Sequence, residues 1–132
     1  MADPEILKEW ISKAEDDFQF AHISLNENKP FFAHICFLFQ QSAEKYLKAF
    51  ILARGLKFQK THDLPMLLKK CIEETPDIDT LSDDCDLLAT FYVETRYPVH
   101  WPATFAKEDA EQAHRASDRI RHFVRRQLDL GE

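Results

Sequence analysis

Arg96 and His100 are the residues of this chain best suited to phosphoryl chemistry. They lie in the segment Arg96-Tyr-Pro-Val-His-Trp-Pro102, where the arginine ends a predicted helix and the histidine follows on a proline-bounded turn. Arginine binds phosphate oxygens through paired hydrogen bonds and stabilises charge that develops on them. Histidine changes protonation near neutral pH, so it can move the proton of a 2′-hydroxyl or of a leaving oxygen. The structural alternative is that the arginine caps the last helix carbonyls and the histidine packs over the turn.

A second histidine, His62, lies in the run Thr61-His-Asp-Leu64. The run predicts the start of a helix, with Thr61 as its N-cap and Asp63 in the first turn, where the helix dipole favours an acid. His62 is a candidate for nucleotide or RNA binding. The simpler interpretation is a helix start that binds no ligand.

A basic stripe is predicted on one face of the last helix. Its four members follow one another at steps of four, three and four residues: Arg115, Arg119, His122 and Arg126. Such a face can follow a phosphate backbone or bind an acidic protein partner. The alternative is a solvated face whose arginines pair with Glu111, Asp118 and Asp129.

The charge of the chain is unevenly distributed. The net charge of −6 alone disfavours nonspecific binding to nucleic acid. Between Glu73 and Asp86, however, there are seven acids and no base, whereas the segment from His114 to Arg126 holds five arginines and one acid. The acidic average therefore conceals a local basic region.

Several classes of site are disfavoured by what the sequence lacks. Two glycines leave no room for a Gly-rich phosphate loop, and no His-Glu-x-x-His motif occurs, so we expect no metal or other cofactor. Cys36, Cys71 and Cys85 have no Cys-x-x-Cys spacing, which is typical of reduced thiols in a cytosol. The first residues do not form a signal peptide, and the longest apolar run, 31–39, is too short to span a bilayer. We therefore expect a cytoplasmic protein without membrane contact.

Five segments have helical periodicity and are joined by short breaks. They span about residues 4–26, 30–54, 61–74, 77–96 (or from 80) and 107–128. Asp3 and Pro4 predict the start of the first helix, and Gly55 predicts the end of the second. Long helices with short connections predict an all-α, up-and-down bundle of four to five helices, forming one domain over residues 1–132.

The second predicted helix changes character along its length. Its first half is apolar nearly all round, so it must be a central helix or part of a subunit interface, and we expect a homodimer. Its second half carries a polar strip with Gln41, Glu44, Lys45 and Lys48, in which Glu44 and Lys48 have the spacing of an i,i+4 pair.

The sequence also resembles HEPN domains. The resemblance extends over roughly residues 11–124, and four features carry it in family order: the run Gln40-Gln-Ser-Ala-Glu-Lys-Tyr-Leu-Lys-Ala49 after an apolar stretch, then Gly55, then His62-Asp-Leu64, and finally Thr95-Arg-Tyr-Pro98. The resemblance implies a bundle of four to five helices, usually a homodimer, that binds RNA or nucleotides. Such proteins are often the partners of a minimal nucleotidyltransferase in toxin–antitoxin modules.

The resemblance assigns roles to the candidate residues. Active HEPN proteins are metal-independent ribonucleases with an arginine and a histidine in one motif, which Arg96 and His100 match, and two copies meet across the dimer. Three residues separate this pair, a shorter interval than in the family motif, and Pro102 takes the place of a tyrosine that some members use for regulation. Tyr97, His62 and the basic stripe are the further candidates for RNA or nucleotide binding. The alternative is a non-catalytic interaction or nucleotide-binding module of the same fold.

Overall fold

Five α-helices and one short 3₁₀ helix make up the computed structural model, which describes residues 3–94 and 104–131. The helices are α1 (Pro4–Asn26), α2 (Phe32–Ala53), α3 (Leu64–Ile72), the 3₁₀ helix Pro76–Leu81, α4 (Ser82–Glu94) and α5 (Lys107–Gln127). The described residues contain no β-strand. The predicted all-α bundle is confirmed.

Three helix ends were predicted from local sequence signals, and two of these predictions are confirmed. Asp3 caps α1, since its Oδ1 accepts a hydrogen bond from the N–H of Glu5 at 2.9 Å, and Gly55 ends α2 with φ +70°. The prediction that Thr61 caps α3 was wrong. The helix begins at Leu64, and the side chain of Asp63 accepts the hydrogen bond from the N–H of Met66. Thr61 instead stabilises the preceding turn, because its Oγ1 accepts a hydrogen bond from the N–H of Asp63.

Helix α2 is the central helix, in contact with α1, α3, α4 and α5. Phe39, Tyr46 and Phe50 are fully buried on it. Two buried serine hydroxyls link α2 to its neighbours, and side chains this small let the helices approach closely. Ser42 donates a hydrogen bond to the carbonyl of Ala14 on α1, and Ser117 on α5 donates one to the carbonyl of Phe39, each at 2.9 Å. The burial of these two hydroxyls is tolerated because each of them forms a hydrogen bond.

The polar strip expected on α2 is only partly exposed to solvent. Glu44 and Lys48 are buried, with relative exposures of 4% and 5%. They form the predicted i,i+4 pair, in which Lys48 Nζ lies 2.8 Å from Glu44 Oε2. The rings of Trp10 on α1 and Phe58 in the α2–α3 connection each lie 5.8 Å from Lys48 Nζ and cover it. The charges are buried because this connection folds back over α2, which the helical period of α2 alone does not reveal.

Within the described ranges, 3–94 and 104–131, no helix combines the length and the apolar character that crossing a membrane requires.

Candidate nucleic-acid site

A buried carboxylate, that of Glu44, is the centre of a polar cluster that reaches the surface. Its Oε2 lies 2.8 Å from Lys48 Nζ and 2.8 Å from His62 Nδ1. Its Oε1 lies 3.5 Å from the side-chain nitrogens of Gln40 and Gln41. Because a carboxylate only accepts hydrogen bonds, we assign the proton of a neutral His62 to Nδ1, which leaves a lone pair on Nε2.

His62 is held from two helices. Its carbonyl oxygen accepts a hydrogen bond from Gln40 Nε2 at 3.4 Å, so α2 fixes the backbone. Its ring stacks on Tyr92 of α4, with centroids 5.0 Å apart and an interplanar angle of 16°. The side chain is nevertheless 51% exposed. His62 is thus an accessible imidazole in a defined orientation.

A pocket of about 400 Å³ opens beside this ring pair, lined by Thr61, His62, Asp63, Ala89 and Tyr92. The residues come from the α2–α3 connection and from the last turns of α4. The pocket therefore combines an imidazole, a phenol, a hydroxyl and a carboxylate. This combination suits a ligand with an aromatic ring and exchangeable protons.

Acidic side chains neutralise only part of the basic stripe on α5. Arg119 binds Asp84 at the start of α4 through two nitrogens, with Nε and Nη2 at 3.0 Å and 2.7 Å from Oδ1. His122 lies 3.7 Å from Asp118. Arg115 and Arg126 are exposed, and neither has an ion pair with any described residue. The stripe thus presents two arginines whose charge is not neutralised by these neighbours.

Two histidines that the sequence did not single out pair across the bundle. His22 Nδ1 on α1 lies 3.1 Å from His114 Nε2 on α5, and Phe18 and Phe39 flank the pair. Burial, followed by the proximity of His22, lowers the pKa of His114 below its ordinary value. No local signal predicts this pair because the two residues are far apart in the chain.

The described residues offer little support for a metal site or for a nucleophilic thiol. Glu111 and His114 do have the Glu-x-x-His spacing of metal-binding bundles. However, no group of three or more potential ligands comes together in the part of the chain that the structure describes. Cys36, Cys71 and Cys85 are buried and free, and burial raises the pKa of each thiol to about 12. Such thiols are poor nucleophiles.

An apolar groove of about 620 Å³ lies between the end of α1 and the start of α2. Its exposed walls include Phe20 (66%), Phe31 (62%) and Ile23 (52%). Leu38 also lines it, and the next residue towards the N-terminus, Phe37, contacts Tyr92 with centroids 6.3 Å apart. The stretch of α2 that borders the groove therefore also contacts Tyr92, a residue of the His62 pocket.

Comparison with known proteins decides the family. The sequence model of the HEPN domain matches residues 7–127. The chain belongs to the HEPN family. A crystal structure of TT1696 from Thermus thermophilus has a TM-score of 0.81 and 30% identity, covering 91% of this chain and 96% of that one. A crystal structure of ST0689, described as an archaeal HEPN homologue, has a TM-score of 0.74 and 26% identity, covering 92% and 97%. No curated protein matches the chain significantly.

The fold of this HEPN protein brings together features that are separate in its sequence. Glu44 belongs to the run 40–49 and His62 to the run 62–64, and they are in direct contact. Tyr92, stacked on His62, lies four residues before Arg96 in the sequence. Arg96, Tyr97 and His100 themselves lie outside the described residues. The His62 pocket is thus lined by the α2–α3 connection and the end of α4, and Glu44 of the run on α2 holds the His62 ring from below the surface.

Proposed function

We propose that this HEPN protein binds RNA at the His62 pocket and cleaves it without a metal ion. The observation that carries the proposal is the contact chain from Glu44 through His62 to Tyr92. It places an oriented imidazole and an aromatic ring at the end of α4, the helix that leads to Arg96 and His100. Binding then rests on stacking of a base near Tyr92 and Tyr97, which is worth about 1–3 kcal/mol per base.

Arg96 and His100 supply the phosphate chemistry in this proposal. Arg96 binds the scissile phosphate and stabilises the charge that grows on its oxygens. His100 transfers a proton to or from the reacting oxygens. Neither role requires a metal ion, so the proposed cleavage persists in the presence of a chelator.

The basic stripe extends the RNA-binding surface beyond the pocket. Arg115 and Arg126 are exposed and lack ion pairs with described residues, so their charge is available to phosphates. Arg119 and His122 belong to the same face but already have acidic neighbours. Phosphate contacts of this kind strengthen binding without reading sequence.

A second copy of the chain occupies the apolar groove in this proposal. Three exposed apolar side chains on one groove are an unusual surface for a monomer. Phe37, next to Leu38 of the groove, contacts Tyr92 of the His62 pocket, so each RNA site of the proposed homodimer is linked to the interface through α2. A minimal nucleotidyltransferase is the second proposed partner, and it follows from the family resemblance.

A non-catalytic interaction module is the alternative function, and the same groove favours it. An apolar groove beside a pocket is also suited to a protein partner, with RNA or nucleotide bound but not cleaved. Cleavage assays separate the two functions.

The test uses a fluorescent RNA in buffer containing EDTA, with binding and cleavage measured on the same samples. We expect wild-type protein to bind and cleave, and Arg96→Ala and His100→Ala to lose cleavage by about 10²–10⁴-fold. Lys8→Ala, which removes an exposed cation on α1, is the matched control and should behave as wild type. Binding without cleavage would support the alternative module, and wild-type protein that does not bind RNA would contradict the proposed function.

A further inference from the structure

We propose that the His62 pocket selects a guanine base of RNA and that Asp63 determines this specificity, an inference that rests on the proposed function. The base lies against the stacked rings of His62 and Tyr92. The carboxylate of Asp63 accepts hydrogen bonds from the N1–H and the 2-amino group of guanine, and the hydroxyl of Thr61 donates to O6. RNA affinity at this pocket then depends on which base enters it.

The stacked rings of His62 and Tyr92 form a preorganised platform for one base. Their centroids are 5.0 Å apart and the angle between the rings is 16°. The hydrogen bond of His62 Nδ1 to Glu44 Oε2, at 2.8 Å, fixes the imidazole, which is half exposed. The adjoining pocket of about 400 Å³ lies within the range of roughly 300–1,000 Å³ that small-ligand sites occupy. Every base has an aromatic face, so stacking supplies affinity without selecting a base.

Asp63 brings a negative charge to the pocket that it lines. Its Oδ1 accepts a long hydrogen bond, 3.4 Å, from the N–H of Met66. No lysine, arginine or histidine in the described part of the chain forms an ion pair with it. A carboxylate offers about four lone-pair sites on its two oxygens, so this group can still accept two N–H donors side by side. Because a carboxylate repels phosphate, its position in an RNA pocket suits the edge of a base.

Thr61 supplies a hydrogen-bond donor beside this carboxylate. Its Oγ1 accepts a hydrogen bond from the N–H of Asp63 at 3.0 Å, so one turn holds both side chains at the pocket that they line. That bond uses a lone pair of the oxygen and leaves the hydroxyl proton to be donated. The pocket therefore presents one donor next to two acceptors.

Guanine is the base whose Watson–Crick edge matches this arrangement. Its edge carries an acceptor, O6, followed by two donors, N1–H and the 2-amino group. Adenine and cytosine each turn an unprotonated ring nitrogen towards the carboxylate, which repels the lone pair of that nitrogen. Uracil has N3–H between two carbonyl oxygens, so only one carboxylate oxygen finds a donor. Bases of single-stranded RNA are unpaired, so a protein can bind them on this edge.

The first test compares the affinities of wild-type protein for short 2′-O-methyl RNAs, which cannot be cleaved and which differ in one base within a run of uridines. Fluorescence anisotropy measures each affinity. We expect the guanine RNA to bind about 5–150-fold more tightly than the adenine, cytosine and uracil RNAs, which is the discrimination that one paired contact to a base provides. Hypoxanthine, which lacks the 2-amino group, should lie between them. GMP presents the same edge without neighbouring phosphates and should bind more weakly than the guanine RNA.

The second test is Asp63→Asn, which replaces one acceptor with a donor. The new amide donates at the point where guanine also donates, so the guanine RNA should lose most of its advantage. Xanthine has a carbonyl in place of the 2-amino group, so a xanthine RNA should gain affinity for this variant. Asparagine caps a helix as well as aspartate does, so α3 should be retained, and Tm checks this. Asp79→Asn, at an exposed position of the 3₁₀ helix, changes the net charge equally and should behave as wild type.

The outcomes separate this inference from the proposed function. Equal affinity for all four bases, or a preference for a base other than guanine, contradicts the inference and leaves RNA binding standing. A guanine preference that persists in Asp63→Asn contradicts the role of Asp63, and GMP that binds more tightly than the guanine RNA contradicts RNA as the source of the base. The wild-type comparison decides the inference even if the variant unfolds. Wild-type protein that binds none of these RNAs overturns the proposed function, and the inference with it.

Discussion

Glu15 on α1 binds Arg121 on α5 through two hydrogen bonds, with Oε1–Nε at 2.7 Å and Oε2–Nη2 at 2.8 Å. The guanidinium of Arg121 also lies over the ring of Phe18, 4.8 Å from its centroid. The Tyr46 hydroxyl of α2 donates to the same carboxylate. This ion pair therefore joins α1, α2 and α5 at the boundary of the core.

The first prediction concerns the acid stability of that ion pair. Burial raises the pKa of Glu15, but hydrogen bonds from Arg121, Tyr46 and Gln19 outweigh it and lower the value from 4.5 to about 2. Because the folded protein binds this proton less readily than the unfolded chain, the stabilisation is present above pH 4.5 and is lost as pH falls towards 2. Glu15→Gln should lower the free energy of unfolding by about 1.5–3 kcal/mol at pH 7. Urea unfolding at pH 7 and pH 3 measures this, and the deficit should shrink at pH 3.

The matched control for Glu15 is Glu9→Gln on the same helix. Glu9 is exposed and lies 4.0 Å from Lys13, so its loss should cost less than about 0.5 kcal/mol. A deficit in Glu15→Gln that equals this control, or that is unchanged at pH 3, would show that the carboxylate charge is not what stabilises the contact.

The second prediction concerns the His22–His114 pair. The pKa of His114 is lowered from its ordinary value of 6.5, chiefly by burial and then by His22. The unfolded chain therefore takes up this proton more readily, so stability should fall as pH drops below 6.5. Thermal unfolding between pH 7.5 and pH 5 should show this decline in wild type and a weaker one in His114→Asn.

The third prediction concerns the apolar groove. If a second copy covers Phe20 and Phe31 as proposed, wild-type protein should have a mass twice the 15.5 kDa of one chain. Phe20→Glu should give a monomer by introducing charge into that interface, as measured by light scattering after gel filtration. Met66→Glu, at another exposed apolar side chain that does not line the groove, should remain a dimer. A monomeric wild type would contradict the assignment.

The fourth prediction concerns the basic stripe. Arg115→Glu with Arg126→Glu should weaken RNA binding and reduce its dependence on salt, because fewer counterions are released. Lys8→Glu with Lys13→Glu on α1 changes the net charge equally and should have a smaller effect. Arg119→Glu is a poorer test, since it places a carboxylate against Asp84 and should lower Tm. Equal losses in the two double variants would show that only net charge matters.

The features predicted correctly from the sequence are local or periodic. Asp3 and Gly55 mark helix ends because a cap and a positive φ act within a few residues. The apolar first half of α2 indicated a central helix because a helix that is hydrophobic nearly all round must be covered. Thr61 was wrongly chosen as a cap because Asp63, two residues later, offers the same type of acceptor.

The features that were missed depend on tertiary contacts. Glu44 and Lys48 have the sequence pattern of a surface pair, but both are buried, and Trp10 of α1 and Phe58 of the α2–α3 connection cover Lys48. One of the two interpretations of the basic stripe paired its arginines with Glu111, Asp118 and Asp129, but the partner of Arg119 is Asp84 on α4. The stacking of Tyr92 on His62, a residue already named as a candidate from the sequence, likewise depends on α4 packing against the α2–α3 connection.

The most direct measurement of the central claim, RNA binding at the His62 pocket, follows the histidine side chains by NMR during titration with 2′-O-methyl RNA. Resonances are assigned with single His→Asn variants. We expect the ring signals of His62 to shift as RNA binding saturates, while those of His22 and His114, which face each other across α1 and α5, stay in place. Saturable RNA binding that leaves His62 unchanged, or that shifts the His22–His114 pair instead, would contradict the account.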